Sequence, residues 1–407
     1  MPFRFIFSLL VLAILVFIIE YYTFQALKIA VKFKSLKWLV LVVSLLTYAN
    51  FFYTVSTMNR SDGQTPQFQW SVAWFLLALL PKLIVLLVLF GEDVVRVIQK
   101  GLSLFTSETK PLATRRKFIS QIALGLAAIP LASILYGVFR GKFNYKVIKY
   151  QLKFKDLPDA FDGFTISHIT DIHSGSFDNK EKIQYGVDLI NEQKSDVILF
   201  TGDIVNNFAT EMDAWIPMFA ALKAPVGKYS VLGNHDYGDY SDWKTPEAKK
   251  ANFKAVKDVH EKIGFDLLCN ENRYIEKDGE KIALVGVENW GKGFNQAGDL
   301  KKASEGIEKS DFKILMSHDP SHWEYKIKKD DFNYQLTLSG HTHGLQFGIE
   351  IPGWIKWSPA KYVYKQWAGL YQEYGRYINV NRGFGYHAFP GRVGIWPEIT
   401  VIELKKG

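Results

Sequence analysis

Through the first 143 residues apolar positions run on for long stretches; from 144 onward they come in short bursts between segments of helical periodicity. The long runs occupy residues 3–24, 38–55, 72–90 and 118–139. Each approaches the roughly 20 residues that carry a helix across a hydrocarbon core. Tyr21, Tyr22, Trp38, Tyr48, Trp70 and Trp74 fall near their ends, where amphipathic rings settle. Four such runs in succession predict membrane helices rather than buried core helices. Glu20 closes the first run and is expected to reach the interface. Lys82 follows Pro81 near the middle of the third and is read as snorkelling from a kinked helix, the competing reading being a charge paired inside the bundle.

The second pattern predicts strands over 164–170, 196–201, 228–232, 312–316 and 334–338, with tail strands over 377–380 and 399–404. Helices are expected over 180–194, 211–222 and 247–263, and a hairpin turn at Asp278-Gly279. This alternation argues for sheets covered by helices. The domains expected are therefore 1–143 in the membrane and 144–407 as an α/β unit. Five of the strands end at polar clusters: Asp171-x-His173, Gly202-Asp203, Gly233-Asn234-His235-Asp236, Ser317-His318 and Gly340-His341-Thr342-His343. Ligands bind beyond the carboxyl ends of strands in open α/β sheets, so five clusters point at one crevice.

Charge sharpens the division. Residues 1–149 hold 17 Lys/Arg against 5 Asp/Glu, and residues 150–407 hold 32 against 36. The basic character belongs to the loops between apolar runs, which argues against a nucleic-acid partner. Lys28, Lys32, Lys34 and Lys37 crowd the first loop; Arg96, Lys100, Lys110, Arg115, Arg116 and Lys117 fill the third; the second has only Arg60. With the basic loops in the cytoplasm, both chain ends lie outside, although Arg4, Arg140, Lys142, Lys146 and Lys149 oppose this. Thr114-Arg115-Arg116-Lys117-Phe118-Ile119 reads either as an internal twin-arginine export signal or as an ordinary basic flank. No A-x-A cleavage site follows, so the fourth span is expected to stay as an anchor. The expected location is a bacterial inner (plasma) membrane, multi-pass, with the second domain extracytoplasmic. Cys269 is the sole cysteine, which excludes an intrachain disulfide and a Cys-based zinc site.

Any metal must then be held by His, Asp and Asn, a donor mixture that suits zinc, manganese or iron. Alternate residues at a strand end face alike, so Asp171 and His173 project together, as do His341 and His343. With Asp203 shared, two shells are possible: Asp171, His173, Asp203 and His343; and Asp203, Asn234, His318 and His341. A bridged pair of divalent ions supports in-line displacement at phosphorus by a metal-bound hydroxide. His235 is the expected proton donor, with Asp236 orienting its ring. A lone D-x-H or G-D would be background, but five clusters in this order are not.

That order resembles the calcineurin-like metallophosphoesterase superfamily, and within it the bacterial transmembrane metallophosphoesterases that include UDP-diacylglucosamine hydrolase-like proteins. The match covers roughly residues 145–407, including Asn381-Arg382-Gly383-Phe384-Gly385 and Pro397-Glu398-Ile399. The resemblance implies a four-layer α/β/β/α sandwich, two divalent ions (Mn, Zn, Fe or Mg), hydrolysis of a phosphodiester or pyrophosphate, and a membrane-associated or lipid-linked substrate. A lipid A precursor pyrophosphatase is the alternative. Some such hydrolases carry Arg where this chain keeps His235, and their substrate is cytoplasmic. A receptor or scaffold with a vestigial site would have lost a ligand, and none is lost.

Arg382 and His387 are candidate substrate contacts. His168 is read as a packing residue or one that backs the ligands, and His322 as an exposed loop residue, the alternative again being one that backs the ligands. The aromatic stretch over 347–389 is either ordinary packing or a surface for a bilayer, acyl or glycan group.

Overall fold

A computed structural model describes residues 3–102, 113–351 and 353–407; Lys110 lies outside them. The chain forms two compact units, one of residues 1–58 and 67–136, the other of residues 59–66 and 137–407.

The first unit comprises α1 (Phe3–Ala30), α2 (Leu36–Thr57), α3 (Pro66–Leu102) and most of α4 (Ala113–Phe139). Among the described residues these four are long and apolar enough to cross a membrane. The α3 helix outruns its apolar stretch, so Arg96 and Lys100 lie on the helix rather than in a loop. Ion pairs support the extension: Glu92 meets Arg96 at 2.9 Å and also Arg116, while Asp93 meets Arg116 at 2.8 Å. Glu20 and Lys82 differ from the expectation. Both are buried, Lys82 Nζ pairs with Glu20 and Ser44, and Tyr48 donates to Glu20 at 2.7 Å. An unpaired charge in an apolar bundle is costly, so pairing inside wins over snorkelling.

In the second unit the strands are β1 (Lys146–Phe154), β2 (Thr165–Ile169), β3 (Val197–Phe200), β4 (Gly227–Ser230), β5 (Asp266–Leu267), β6 (Glu271–Lys277) and β7 (Glu280–Gly286). They continue with β8 (Lys313–Met316), β9 (Leu336–Ser339), β10 (Ile349–Ile351), β11 (Ile355–Trp357), β12 (Gly369–Glu373), β13 (Arg376–Val380) and β14 (Glu398–Lys406). One sheet runs β1-β14-β2-β3-β4-β5 and the other β12-β13-β9-β8-β7-β6, with β10 and β11 forming a separate hairpin. Ile166, Val197 and Leu199 of the first sheet share a buried cluster with Leu284, Ile314, Met316, Leu336 and Leu338 of the second, so the sheets pack face to face. Helices α5 (Lys180–Glu192), α6 (Ile216–Ala220) and α7 (Pro246–Lys262) cover the outer face of the first through Val187, Phe219 and Val259. Ala303, Trp323 and Ile327 cover the outer face of the second. The result is the α/β/β/α sandwich. The helix expected over 211–222 is reduced to a turn at Ala209–Met212 followed by the short α6. Pro217 lacks the N–H that a continuous helix would need there.

Strands β2, β3 and β4 are parallel neighbours, as are β8 and β9, so their carboxyl ends share an edge within each sheet. The two edges are tied together: His318 Nδ1 lies 2.7 Å from the carbonyl oxygen of Thr201, and the His341 N–H meets the Asp171 carboxylate at 2.9 Å.

Candidate metal centre

Just past β2 and β3 the backbone turns so sharply that Asp171, His173 and Asp203 adopt φ of 53°, 49° and 59°; His341 and His343 past β9 do likewise at 71° and 47°. Such left-handed residues are uncommon unless glycine, and they gather at functional sites. Gly202 and Gly233 let the two turns touch. A Cβ on Gly202, itself at φ +95°, would strike the Gly233 backbone, and one on Gly233 would strike the Asp203 carboxylate.

The side chains then converge. Asp171, His173 and His343 form one group whose donor atoms all lie within 4.8 Å of one another, and Asp203, His318 and His341 form a second. Asp203 Oδ2 stands between them, 3.5 Å from His173 Nε2 and 3.1 Å from His318 Nε2. His343 Nε2 lies 3.0 Å from Asp171 Oδ1. Asn234 gives its amide N–H to the Tyr240 hydroxyl at 2.8 Å, which turns its oxygen to His341 Nδ1, also at 2.8 Å.

These donors fit divalent cations. His318 Nε2 and His343 Nε2 are buried beside carboxylates, yet neither has a hydrogen-bond partner among the described residues. Buried polar atoms without partners are rare, and an ion held in each donor group would satisfy them. The charges agree. Burial alone would raise the Asp203 carboxyl, but the neighbouring His318 and His235 outweigh it and hold it below the usual carboxylate range. Burial would likewise lower His318, but Asp203 outweighs it and pushes the ring up to about 10. The Asp203 carboxylate thus faces the His318 ring in a setting that favours positive charge beside it.

Two comparisons decide the family. The description "Probable Calcineurin-like phosphoesterase, transmembrane domain" matches residues 3–142, and "Calcineurin-like phosphoesterase" matches residues 164–345. A Bacillus subtilis protein described as "Uncharacterized metallophosphoesterase YkuE" is 32% identical over 299 residues, covering 72% of this chain and 98% of its own. The chain belongs to the calcineurin-like phosphoesterase family. The zebrafish (Danio rerio) "Transmembrane protein with metallophosphoesterase domain" is 26% identical, over 67% of this chain and 60% of its own. An Aquifex aeolicus metallophosphoesterase is 24% identical over 67% and 97%. This calcineurin-like phosphoesterase is therefore a metal-dependent phosphoester hydrolase integral to a membrane.

Two expected roles need correcting. Asp236 does not orient His235. Its buried carboxylate accepts the backbone N–H groups of Gly233, Asp203 and Ile204 at 2.8, 2.9 and 2.9 Å. The carbonyl of Asn206 holds His235 instead, at 2.8 Å from Nδ1. Nor is Arg382 free to hold a phosphate. It is buried between two carboxylates, Glu398 and Glu350, the latter at 2.6 Å. His387 does reach the site, its ring 4.3 Å from that of His235, but both its nitrogens face protein atoms, Asn206 and Gln64. His322 is buried rather than exposed, stacked on Trp290 and 2.9 Å from Ser317 Oγ. His168 is a packing residue, placed between Thr201 and Asn379.

Several neighbours were not foreseen. Asn206 Oδ1 lies 3.0 Å from His173 Nδ1, leaving Nε2 for an ion. Tyr364 OH meets His341 Nε2 at 2.7 Å. Arg392 is fully buried, donates to the carbonyls of Arg382, Gly383 and Gly385, and lies 3.1 Å from His343 Nδ1. The one available signal was Asn206-Asn207, two polar residues soon after Asp203 in an apolar stretch.

Proposed function

We propose that this metallophosphoesterase holds two divalent ions and hydrolyses a phosphodiester or pyrophosphate in a lipid-linked substrate at the outer face of a bacterial inner membrane. The position of Asp203 Oδ2 between the two donor groups carries the two-ion reading. Asp171, His173, Asp203 and His343 are assigned to one ion, and Asp203, Asn234, His318 and His341 to the other. Bound there, the ions would make a nucleophile of water near neutral pH and neutralise charge on the phosphoryl oxygens.

The chain's own residues do the rest. Tyr240 keeps the Asn234 oxygen turned inward, and Asn206 Oδ1 keeps His173 Nε2 turned toward Asp203. Because the Asn206 carbonyl takes Nδ1–H, His235 has Nε2 alone to offer, and it is the assigned proton donor to the leaving oxygen. Burial lowers the pKa of this ring against the raising effect of Asp203. A bound phosphoryl group, being negative, favours the protonated form.

Phe294 and Tyr364 pack against His341, and Tyr240 packs against His235. This aromatic rim supports a substrate with an apolar part. The outward placement is supported by the basic residues at the facing ends of α1 and α2 and of α3 and α4, and by the α2–α3 segment, which belongs to the same unit as the site.

Elemental analysis of the full-length protein with kinetics on an aryl phosphodiester tests the proposal. Two ions per chain are expected, and Asp203→Ala or His343→Ala should lose both metal and activity. One ion per chain at full activity would overturn the two-ion reading.

A further inference from the structure

Residues 59–66 join two membrane helices, yet they belong to the phosphoesterase unit. The Arg60 carbonyl accepts from Ser241 Oγ at 2.9 Å, and its guanidinium lies 3.8 Å from Asp242. Gly63, at φ +67°, packs so closely on Phe208 that a Cβ would fall 2.7 Å from the ring. These contacts bring Gln64 onto the segment that carries His387.

The amide orientation of Gln64 is dictated by its partners. Its Oε1 accepts the Ala388 backbone N–H at 3.0 Å, which only the oxygen can do. Nε2 is therefore the atom that faces His387 Nε2 at 2.8 Å, and it must donate. His387 Nε2 must accept, which leaves the ring proton on Nδ1, 3.2 Å from Asn206 Oδ1. That same oxygen lies 3.0 Å from His173 Nδ1. The His387 ring packs 4.7 Å from His173 and 4.3 Å from His235. Ala388 is at φ 58°, so the bond it donates to Gln64 also pins a strained residue next to the ring.

We propose that Gln64 is a positioning residue of this active site: it holds His387 as the Nδ1–H tautomer and so fixes Asn206 and the rings of His173 and His235. A side chain from between two membrane helices thereby completes the site. This rests on the two-metal phosphoesterase reading for its kinetic effect but not for its geometry.

Gln64→Ala removes both bonds. Gln64→Glu keeps an acceptor for the Ala388 N–H but offers His387 no donor. The full-length protein in detergent is assayed on an aryl phosphodiester, with metal content, thermal unfolding and histidine ¹⁵N chemical shifts measured alongside. Both variants are expected to lower kcat about 10-fold, the range for residues that orient metal-site histidines, with KM, metal content and unfolding temperature little changed. The His387 Nε2 resonance should be that of an unprotonated acceptor in the parent protein and of a protonated nitrogen in Gln64→Glu. Unchanged kcat with an unchanged resonance would overturn the proposal. So would loss of activity that merely follows loss of metal or of the folded state. If the parent protein hydrolyses nothing, the phosphoesterase reading fails while the resonance still tests the tautomer.

Discussion

Five side chains of the crevice, Asp171, His173, Asp203, His341 and His343, hang from left-handed backbone. Each costs roughly 1–3 kcal/mol that surrounding bonds must offset. The Asp236 carboxylate is one such restraint, since it gathers three N–H groups from the turns that carry Asp203 and Asn234. Asp236→Asn would set an amide against those donors. It should lower stability by about 2–3 kcal/mol and weaken metal binding, read by thermal unfolding and metal titration. The contrasting prediction concerns His235. If it protonates the leaving oxygen, His235→Ala should slow an alkyl phosphodiester at least 10 times more than a nitrophenyl one, whose leaving group needs no proton; equal slowing would remove that role. At this scale Asp171 or His343 could be read from sequence because each closes an apolar strand. Asn206, Tyr364 and Arg392 could not, because their partners are assigned only when distant segments meet.

Strands β2, β3, β4, β8 and β9 are short apolar bursts with polar ends, and each lies within a residue or two of its expected place. The edge strand β1 alternates buried and exposed positions weakly and was not recognised; it gains its place by pairing with β14 at the far end of the chain. Helix α7 shows what an element brings besides cover. It sets His260 into the core, 5.7 Å from the Phe200 ring, with Nδ1 2.8 Å from Ser230 Oγ. Burial pushes this ring down to about 3 from 6.5. The unfolded chain takes up the proton first, so the stabilising contribution is whole above pH 6.5 and falls as pH drops toward 3. His260→Leu should flatten the acid side of the unfolding profile between those values, by about 1.4 kcal/mol per pH unit. Thermal unfolding at stepped pH measures it.

Across the whole molecule, the two patterns of apolar positions separated the membrane helices from the sandwich because burial in lipid and burial in a core demand different run lengths. The pairing of Glu20 with Lys82 escaped that reading, since run length says nothing about which helix faces which. Lys82→Met alone strands a buried carboxylate and should destabilise the helices by about 3–5 kcal/mol, whereas adding Glu20→Gln should restore much of the loss. A double-mutant cycle on unfolding in detergent reads the coupling. The Gln64–His387 contact spans 323 positions of sequence. During synthesis the helix pair enclosing Gln64 is made long before its partner, so the pocket stays open until nearly the last residue has emerged. A fragment beginning after residue 143 would carry His387 without the side chain that meets its Nε2.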